Sequence, residues 1–430
     1  MAQLTHIIQS ILAVGAVALL PLMILAMGLI FKMKFLQALK SGLLVGIGFQ
    51  GLRLVVNFLV ATLEPIINFY AAEEGSGFTI VDVGWETLSA AAWATKFAGL
   101  IVPLGLLLNF VLIRTKFIKT LNVDIWNYWH LIKSAAVLSF VLTFAGMSGK
   151  SNYVVSVIFG LFLSVLVCFV GDKIAPAWQS YFGLEGTTCT TILQLGTTLP
   201  IAVAINWILD KIPGVKKVDL SYDTINDKLG GLSDPTIIAC ILGAFLSIIT
   251  RQSLTVTIQV AVGLAAVITL TPRMVKMFME GISPLSTAAR DYMIKRLGND
   301  ADFHIGVDIA LGVGNQTAIT VSALMIPISV FLAFALPFNH FFPLAFFGSS
   351  LTYAMATVTL VSRGNIFRSL IIGTVYMVFT YFAFNYTAAL CTQFVESSGV
   401  LAIQDGVQVT AGGMNNFIEV ILAFIQNMIK

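Results

Sequence analysis

Charged side chains are scarce in this chain of 430 residues. Aspartate, glutamate, lysine and arginine make up 10% of it, whereas a typical soluble domain contains roughly 25%. So few charges could not cover the surface of a water-soluble protein of this size. Hydrophobic residues reach 58%, and this content also excludes an intrinsically disordered chain. The composition therefore indicates a polytopic membrane protein.

Motifs for several other classes of protein are missing. The four cysteines (Cys168, Cys189, Cys240 and Cys391) lie far apart and form no CxxC pair, so neither a disulfide framework nor a metal cage is predicted. The histidines form no HxxxH or HExxH pattern, and we expect neither a metal nor another cofactor. The net charge is only +3 and no basic stripe is present, which argues against a nucleic-acid partner.

Motifs of nucleotide-driven pumps and of ion channels are missing as well. The sequence contains no GxxxxGK[ST] loop for binding a nucleotide. It contains neither an arginine ladder, which a voltage sensor requires, nor the TVGYG filter of potassium channels. The hydrophilic stretches are too short to fold as separate domains, so the function is exerted within or against the membrane.

Long apolar segments recur along the whole chain. A bilayer core of roughly 30 Å requires about 20 apolar residues in a helix. Segments near this length predict an all-α polytopic membrane protein with about ten transmembrane helices, at His6–Phe31, Ser41–Tyr70, Phe97–Ile113, Leu131–Ser148, Tyr153–Gly171, Pro235–Thr250, Leu254–Phe278, Thr317–Leu336, Phe341–Val361 and Ser369–Leu390.

The basic residues indicate the orientation in the membrane. Most of the 24 lysines and arginines follow the first, third, fifth, seventh and ninth predicted spans. We also count Lys133, near the start of the fourth span, with this group. Lysine and arginine accumulate in cytoplasmic loops, so the N-terminus is predicted to lie outside the cytoplasm.

The two halves of the chain resemble each other weakly, which predicts an internal repeat of residues 1–215 and 216–430. Asp82 in VDVGW corresponds to Asp308 in VDIALGVG, and Pro103 corresponds to Pro327. The matching residues keep the same order, and their separations are near half of the chain length. Because each half has five predicted spans, an odd number, the second half is expected to be inverted. Inverted repeats of this kind are typical of alternating-access transporters.

Two kinds of segment in each half are too polar or too short to span a bilayer. The first kind is Ile80–Ala94 with its counterpart Phe303–Gln316, and the second is Glu185–Asp210 with its counterpart Asp405–Ile429. Irregular backbone at membrane depth is tolerated only where it is buried in protein or lines a cavity. We therefore predict that some of these segments are re-entrant hairpins beside a polar solute. Surface loops or interfacial helices are the alternative.

Acidic residues near membrane depth are the main candidates for chemistry. A carboxylate there costs at least ~2.5 kcal/mol on insertion scales, so it indicates a functional site. Asp308 could accept hydrogen bonds from sugar hydroxyls or take a hydroxyl proton as a general base. A structural role, as a helix N-cap or the partner of a basic residue, is the alternative. The same choice applies to Asp82, beside which Trp85 could either stack on a sugar or anchor the chain at the interface.

Uncharged polar residues and one histidine are further candidates. His130, at the start of the fourth predicted span in NVDIWNYWH, could donate to a substrate oxygen or cap a backbone carbonyl. Thr190 and Gln194 lie in a polar cluster of the first half, and Asn315 with Gln316 forms a similar one in the second. Uncharged donors and acceptors suit a neutral polyhydroxylated solute, although threonines also bond neighbouring membrane helices.

Several of these motifs together resemble a known family. VDVGW at 81–85, NVDIWNYWH at 122–130, KIPGV at 211–215 and RGNIFRSLI at 363–371 are similar, in the same order, to motifs of galactitol-type enzyme IIC components of the bacterial phosphotransferase system. The wider group includes ascorbate permeases. The resemblance extends over roughly residues 42–390. It implies a sugar or sugar-alcohol permease of the bacterial inner membrane.

The resemblance also implies partners, an assembly and a site. The permease would be a homodimer, with a substrate-carrying core domain that moves like an elevator and a V-shaped domain that forms the dimer contact. A cytoplasmic IIB protein with a phosphocysteine, charged by IIA, would phosphorylate the sugar. His130 and Asp308 match family residues that face the substrate. Two family histidines have no counterpart here, because the corresponding stretches read TTCTTILQLG and Gly-Asn-Gln (314–316).

Two other classes of transporter fit the same pattern of spans. In an ion-coupled secondary transporter, Asp82 and Asp308 would bind a proton or Na⁺, and uptake would depend on the ion gradient. A passive channel would show neither saturation nor coupling. The inverted pattern of broken helices argues against the channel.

Overall fold

A computed structural model of the chain describes residues 16–71, 78–122, 124, 127–215, 218, 220, 235–297, 303–348, 350–403 and 406–429. Most of these residues are helical, and short strands join the helices. The apolar side chains form two buried clusters. One includes most of the buried residues at 128–137, and the other includes Leu351, Ala354, Met355 and Val358.

The first half of the chain contains seven described helices and three strands. In chain order they are α1 (Ala16–Ile30), α2 (Phe35–Ala71), β1 (Ile80–Asp82), α3 (Gly84–Ala94), α4 (Ala98–Arg114), β2 (Thr120–Asn122), α5 (Tyr128–Phe144), α6 (Gly149–Phe182), β3 (Thr187–Cys189) and, after a π-helical turn at Gln194–Thr198, α7 (Leu199–Leu209).

The second half repeats this order almost element by element. It contains α8 (Pro235–Ile249), α9 (Leu254–Leu297), β4 (His304–Val307), a 3₁₀ helix (Ile309–Gly314), α10 (Gln316–Ala335), α11 (Leu344–Gly348), α12 (Ser350–Ser362), α13 (Ile366–Ser398), β5 (Gln408–Thr410) and α14 (Phe417–Ile429).

Helices α1 and α2 are joined by the same turn as helices α8 and α9. After α1, Lys32 takes a φ of 63°, and the Met33 amide donates to the Gly28 carbonyl at 2.8 Å. After α8, Arg251 takes a φ of 54°, and the Gln252 amide donates to the Ser247 carbonyl at 2.9 Å. Both are Schellman turns, and in both the left-handed residue is basic, which suits the negative end of a helix dipole.

Helices α2 and α9 pack closely because glycines line their contact. A Cβ on Gly281 would lie 2.7 Å from the Ser41 carbonyl oxygen, and a Cβ on Gly263 would lie 2.5 Å from the Thr62 side chain. Small residues let the backbones of apolar helices approach, and this raises the dispersion energy between them. With α1 and α8 on their flanks, these helices form a four-helix group drawn from both halves.

Two small parallel sheets each combine strands from both halves of the chain. In one sheet β4 of the second half lies between β2 and β3 of the first half. In the other, β1 of the first half pairs with β5 of the second half and bridges to Phe341. The three-stranded sheet thus has a central strand from the second half, and the two-stranded sheet has one strand from each half.

The helices lie close to the predicted spans but differ in length. Several predicted spans agree within about three residues at both ends, whereas Gly149–Phe182, Leu254–Leu297 and Ile366–Ser398 continue beyond the predicted ends. Within the predicted span Phe341–Val361, the described helical residues are Leu344–Gly348 and Ser350–Ser362. The first predicted span begins outside the described residues.

Three of the described helices (α6, α10 and α13) are long and apolar enough to cross a membrane. A fourth span results if α3 and α4, bent by 89°, are counted as one broken helix. Shorter apolar helices, among them α5, α12 and α14, add to these. The total of ten spans stays a prediction.

The four polar segments share one local design. Each begins with a short strand, at β1, β4, β3 and β5, and each continues into a helix or a helical turn. Asp405, at the start of the last segment, lies outside the described residues. Whether any of these segments re-enters the membrane stays a prediction, but all four are packed in the protein through their strands.

Candidate functional site

A small cavity lies where several of these irregular segments meet. The lining comes from both halves of the chain and comprises Trp85, Asn127, Trp129, His130, Thr191, Leu193, Gln194, Asp308, Ile309, Ser350, Tyr353 and Gly412. Four of the residues predicted from the sequence are thus brought together here: Asp308, His130, Trp85 and Gln194.

Asp308 is held at the entrance of the 3₁₀ helix. Its Oδ1 accepts the Ala310 amide at 3.0 Å and the Thr191 hydroxyl at 3.3 Å. The side chain is therefore an N-cap, as the structural alternative predicted, and it also lines the cavity. Capping fixes the orientation of the carboxylate, so the structural role prepares the side chain for the functional one.

A hydrogen-bonded path leads from Asp308 to a second carboxyl group. The Asn127 Nδ2 atom donates to the Thr191 hydroxyl oxygen at 3.3 Å and to Asp124 Oδ2 at 2.6 Å. Thr191 also accepts the Ile309 amide at 2.9 Å. Asp124 is 6% exposed and lies behind the residues that line the cavity.

Burial raises the pKa of both carboxyl groups. For Asp124 the shift is larger, because the charge of Asp308 adds to the effect of desolvation. For Asp308, the hydrogen bonds from Ala310, Asn127 and Thr191 act in the opposite direction and partly offset desolvation. The site thus holds two interacting acids whose pKa values are both raised by burial.

An aromatic wall faces these polar groups. The rings of Trp129 and His130 stack with centroids 3.7 Å apart, and Trp85 stacks on Trp129 at 6.3 Å. His130 is buried, and its Nδ1 atom has no hydrogen-bond partner among the described residues. A buried polar atom without a partner costs about 1–3 kcal/mol, so a ligand with a hydroxyl group would relieve this cost.

Gln194 begins the π-helical turn that precedes α7. Its Oε1 atom accepts the Thr198 hydroxyl at 2.7 Å. The turn widens the helix at this point, which is common at functional sites. Gln194 is thereby placed on the wall of the cavity, and its amide supplies an uncharged polar group there.

The other four predicted residues lie outside the cavity lining. Asp82 accepts the amides of Gly84 and Phe346 at 3.1 and 2.9 Å, and Thr190 extends the pairing of β3 with β4 through the Val307 carbonyl. Asn315 caps α10 by accepting the Ala318 amide at 3.2 Å, and Gln316 is exposed at its start. The contacts of Asp82, Thr190 and Asn315 are with the protein's own backbone, and whether these residues bind the substrate stays a prediction.

Comparison with known proteins decides which family this geometry belongs to. The model of the family described as "PTS system sugar-specific permease component" matches residues 10–406. The chain belongs to this family of permeases. It is also 32% identical to the "PTS system galactitol-specific EIIC component" of Escherichia coli K12 over 414 residues, which cover 95% of this chain and 87% of the relative.

A second relative has a less specific description. The chain is 30% identical to a "Putative permease IIC component" of Escherichia coli K12 over 406 residues, which cover 94% of this chain and 90% of the relative. The family identified in the sequence analysis is thus confirmed. A permease of the phosphotransferase system is a multi-pass membrane protein, in agreement with the long apolar helices.

Several cavity residues of the permease were not among the predicted site residues. Asn127 and Trp129 lie inside the NVDIWNYWH motif, so the motif could have indicated them. Ser350 and Tyr353 lie within a predicted apolar span. The apolar pattern of that span gave no reason to single out these two side chains.

A buried ion pair lies directly beneath the cavity of the permease. Lys133 Nζ is 2.6 Å from Glu419 Oε1, and neither side chain is exposed. The same ammonium group donates to the Gly413 carbonyl at 2.6 Å. By its position in the sequence, Lys133 was expected among the cytoplasmic basic residues. The structure instead places it inside the protein. Its ion pair joins α5 of the first half to α14 of the second.

Proposed function

We propose that this permease binds an extracellular sugar alcohol, galactitol or a close relative of it, and delivers it for phosphorylation by a phosphocysteine-bearing IIB protein charged by IIA. The name of the 32% identical relatives supports the substrate class. The lining of the cavity supports it independently, because a carboxylate, an amide and aromatic rings together suit a polyhydroxylated solute.

One observation carries this proposal: the capped Asp308 carboxylate lines a cavity that is also lined by aromatic side chains. A hydroxyl of the sugar alcohol would donate to Asp308, and the His130 ring would bond a second hydroxyl. Trp85 and Trp129 would cover the C–H edges of the carbon chain. Positioning of the hydroxyl is the main contribution that such a subunit makes to phosphoryl transfer.

Asp308 would also act as the general base. As IIB transfers its phosphoryl group, the hydroxyl oxygen forms a bond to phosphorus and loses its proton. A carboxylate within hydrogen-bond reach takes that proton in the transition state. The phosphocysteine itself belongs to the partner, so no covalent step falls on this chain.

We further propose that the two halves are inverted repeats, with the N-terminus outside. The repeated order of elements and the identical turns after α1 and α8 support the repeat. In this proposal α1, α2, α8 and α9 form the V-shaped domain that makes the contact in a homodimer. The remaining helices form a core domain that carries the substrate in an elevator motion.

Transport assays in cells test the function. Cells that express the permease with its IIB and IIA partners should accumulate phosphorylated galactitol. Deletion of the general phosphotransferase proteins should abolish uptake, because phosphoenolpyruvate then no longer charges IIB. Uptake that persists in these cells and collapses with the ion gradient would refute the proposal and support an ion-coupled transporter instead.

A further inference from the structure

Asp124 is a buried acid that the proposed chemistry leaves unused. It follows β2 and is 6% exposed. Asn127 donates to it twice, from Nδ2 at 2.6 Å to Oδ2 and from the backbone amide at 3.4 Å to Oδ1. Such close coupling to the candidate site calls for an explanation, because a buried carboxyl group without a cation is costly.

The hydrogen bonds between Asp124 and Asp308 have a fixed direction. Asn127 Nδ2 donates one proton to Asp124 and shares the other between the Thr191 oxygen and Asp308. Since the Thr191 oxygen also accepts the Ile309 amide, its own proton points to Asp308. A change of charge on one acid is therefore felt by the other through a rigid path of two side chains.

No cation balances the two acids among the residues that the structure describes. The titratable groups around the pair are Tyr128, Cys189 and His130. None of these is a permanent cation. Lys133, one helical turn beyond His130, is paired with Glu419. Two interacting buried carboxyl groups resist double ionisation, because each charge disfavours the other in a low-dielectric surrounding.

We infer that Asp124 and Asp308 hold one proton between them, and that this proton resides on Asp124 and leaves Asp308 ionised towards the cavity. Asp308 lines the cavity and caps the 3₁₀ helix, whereas Asp124 is closed off behind Asn127. Burial raises the pKa of both carboxyl groups, which agrees with a pair that retains a proton. Asp124 is thus a positioning residue that acts through Asp308.

The inference deepens the proposed function and, for its role in transfer, rests on it. When the substrate O–H bond breaks and the O–P bond forms, the hydroxyl proton passes to Asp308 while the S–P bond of IIB breaks. Because Asp124 is already protonated, both carboxyl groups are neutral after this step. Two buried negative charges therefore never lie side by side. Asp308 then returns the proton to water when the product leaves.

Infrared difference spectroscopy of the purified permease tests the protonation state without any substrate. We expect Asp124→Asn to remove the C=O stretching band of a protonated carboxylic acid at neutral pH. Asp172→Asn serves as the matched control, since Asp172 accepts the Lys119 amide and the Thr120 hydroxyl away from the cavity. If Asp124→Asn instead loses the bands of an ionised carboxylate, then Asp124 is ionised in the wild type and the inference is wrong.

The pH dependence of galactitol binding to the purified permease provides the second test. The affinity of the wild type for galactitol should fall as the pH rises through the raised pKa of Asp124. Asp124 then carries a negative charge close to that of Asp308. Asp124→Asn, a permanently neutral isostere, should keep affinity within about threefold at neutral pH and lack this fall. A loss as large as that of Asp308→Asn would overturn the inference.

These two tests separate the inference from the proposed function. If the wild type binds no galactitol, the proposed substrate is wrong, and the infrared bands still decide where the proton resides. Thermal unfolding of each variant, compared with the wild type, identifies a variant that fails through misfolding. If Asp124→Asn misfolds, the infrared spectrum of Asp308→Asn, which keeps Asp124, is compared with that of the wild type instead.

Discussion

Asp308 combines an observed structural role with the chemical role proposed for it. The Ala310 amide and the Thr191 hydroxyl fix its Oδ1 atom, and the carboxylate still reaches the cavity. Hydrogen bonds to charged groups contribute about 1.5–3 kcal/mol, more than neutral ones. The charge of this residue, rather than its shape, should therefore dominate binding.

Replacement of Asp308 by asparagine tests this statement. Asparagine can still cap the 3₁₀ helix, but it lacks the charge, so galactitol affinity should fall roughly 10- to 150-fold and phosphorylation should cease. Calorimetry on the purified permease and a phosphorylation assay with IIB measure the two effects. A variant that phosphorylates galactitol normally would contradict the assignment.

Asp82→Asn is the matched control for this experiment. Asp82 accepts two backbone amides, those of Gly84 and Phe346, and is not part of the cavity lining. Its replacement should lower the unfolding temperature and leave galactitol affinity unchanged. Equal losses of affinity in the two variants would show that neither acid is specific for the substrate.

The sequence predicted those site residues whose type is unusual for an apolar chain. Asp308 and His130 stand out because charged or titratable groups are rare near membrane depth. Asn127 and Tyr353 do not stand out, since amides and tyrosines occur in many helices. The NVDIWNYWH motif could have indicated Asn127, but only the spatial meeting of segments from both halves selects Tyr353.

The helices were largely predictable, and the strands were not. A run of about 20 apolar residues determines a span almost by itself, so α4, α8 and α10 agree closely with the predictions. The strands have three or four residues, too few for an alternating pattern, and they pair with distant segments. The ends of α6, α9 and α13 also differ, because these helices continue into polar sequence.

The ion pair between α5 and α14 gives the next prediction. Lys133→Met leaves Glu419 buried without its cation, and breaking such a pair costs about 3–5 kcal/mol of stability. The double variant Lys133→Met with Glu419→Leu removes both charges and should recover most of this loss. Thermal unfolding of the purified permease in detergent measures both.

Arg368→Met provides the control for a pair that is partly exposed. Arg368 Nη1 lies 2.7 Å from Asp210 Oδ1, with the aspartate side chain 46% exposed. Pairs of this kind contribute about 0–1 kcal/mol, so the unfolding temperature should barely change. If Lys133→Met is as mild as this control, the buried pair does not hold α5 against α14.

At the scale of the whole molecule, the orientation in the membrane can be tested directly. Arg114 and Lys150 are both exposed and lie at opposite ends of the predicted topology. In intact cells an impermeant maleimide should label Lys150→Cys and leave Arg114→Cys unlabelled until the membrane is broken. The background replaces Cys240, since the other cysteines are buried. The reverse pattern would place the N-terminus in the cytoplasm.

The exchange of strands between the halves also constrains how the chain is made. Strands β2 and β3 lack their central partner until residues 304–307 leave the ribosome, and at about 5–20 residues per second this takes on the order of ten seconds or more after β2 emerges. Through that time the unpaired edges must be sheltered by the insertion machinery. The permease therefore assembles its site last, and a nascent chain stalled at midpoint would have helices in the bilayer but no place for a sugar.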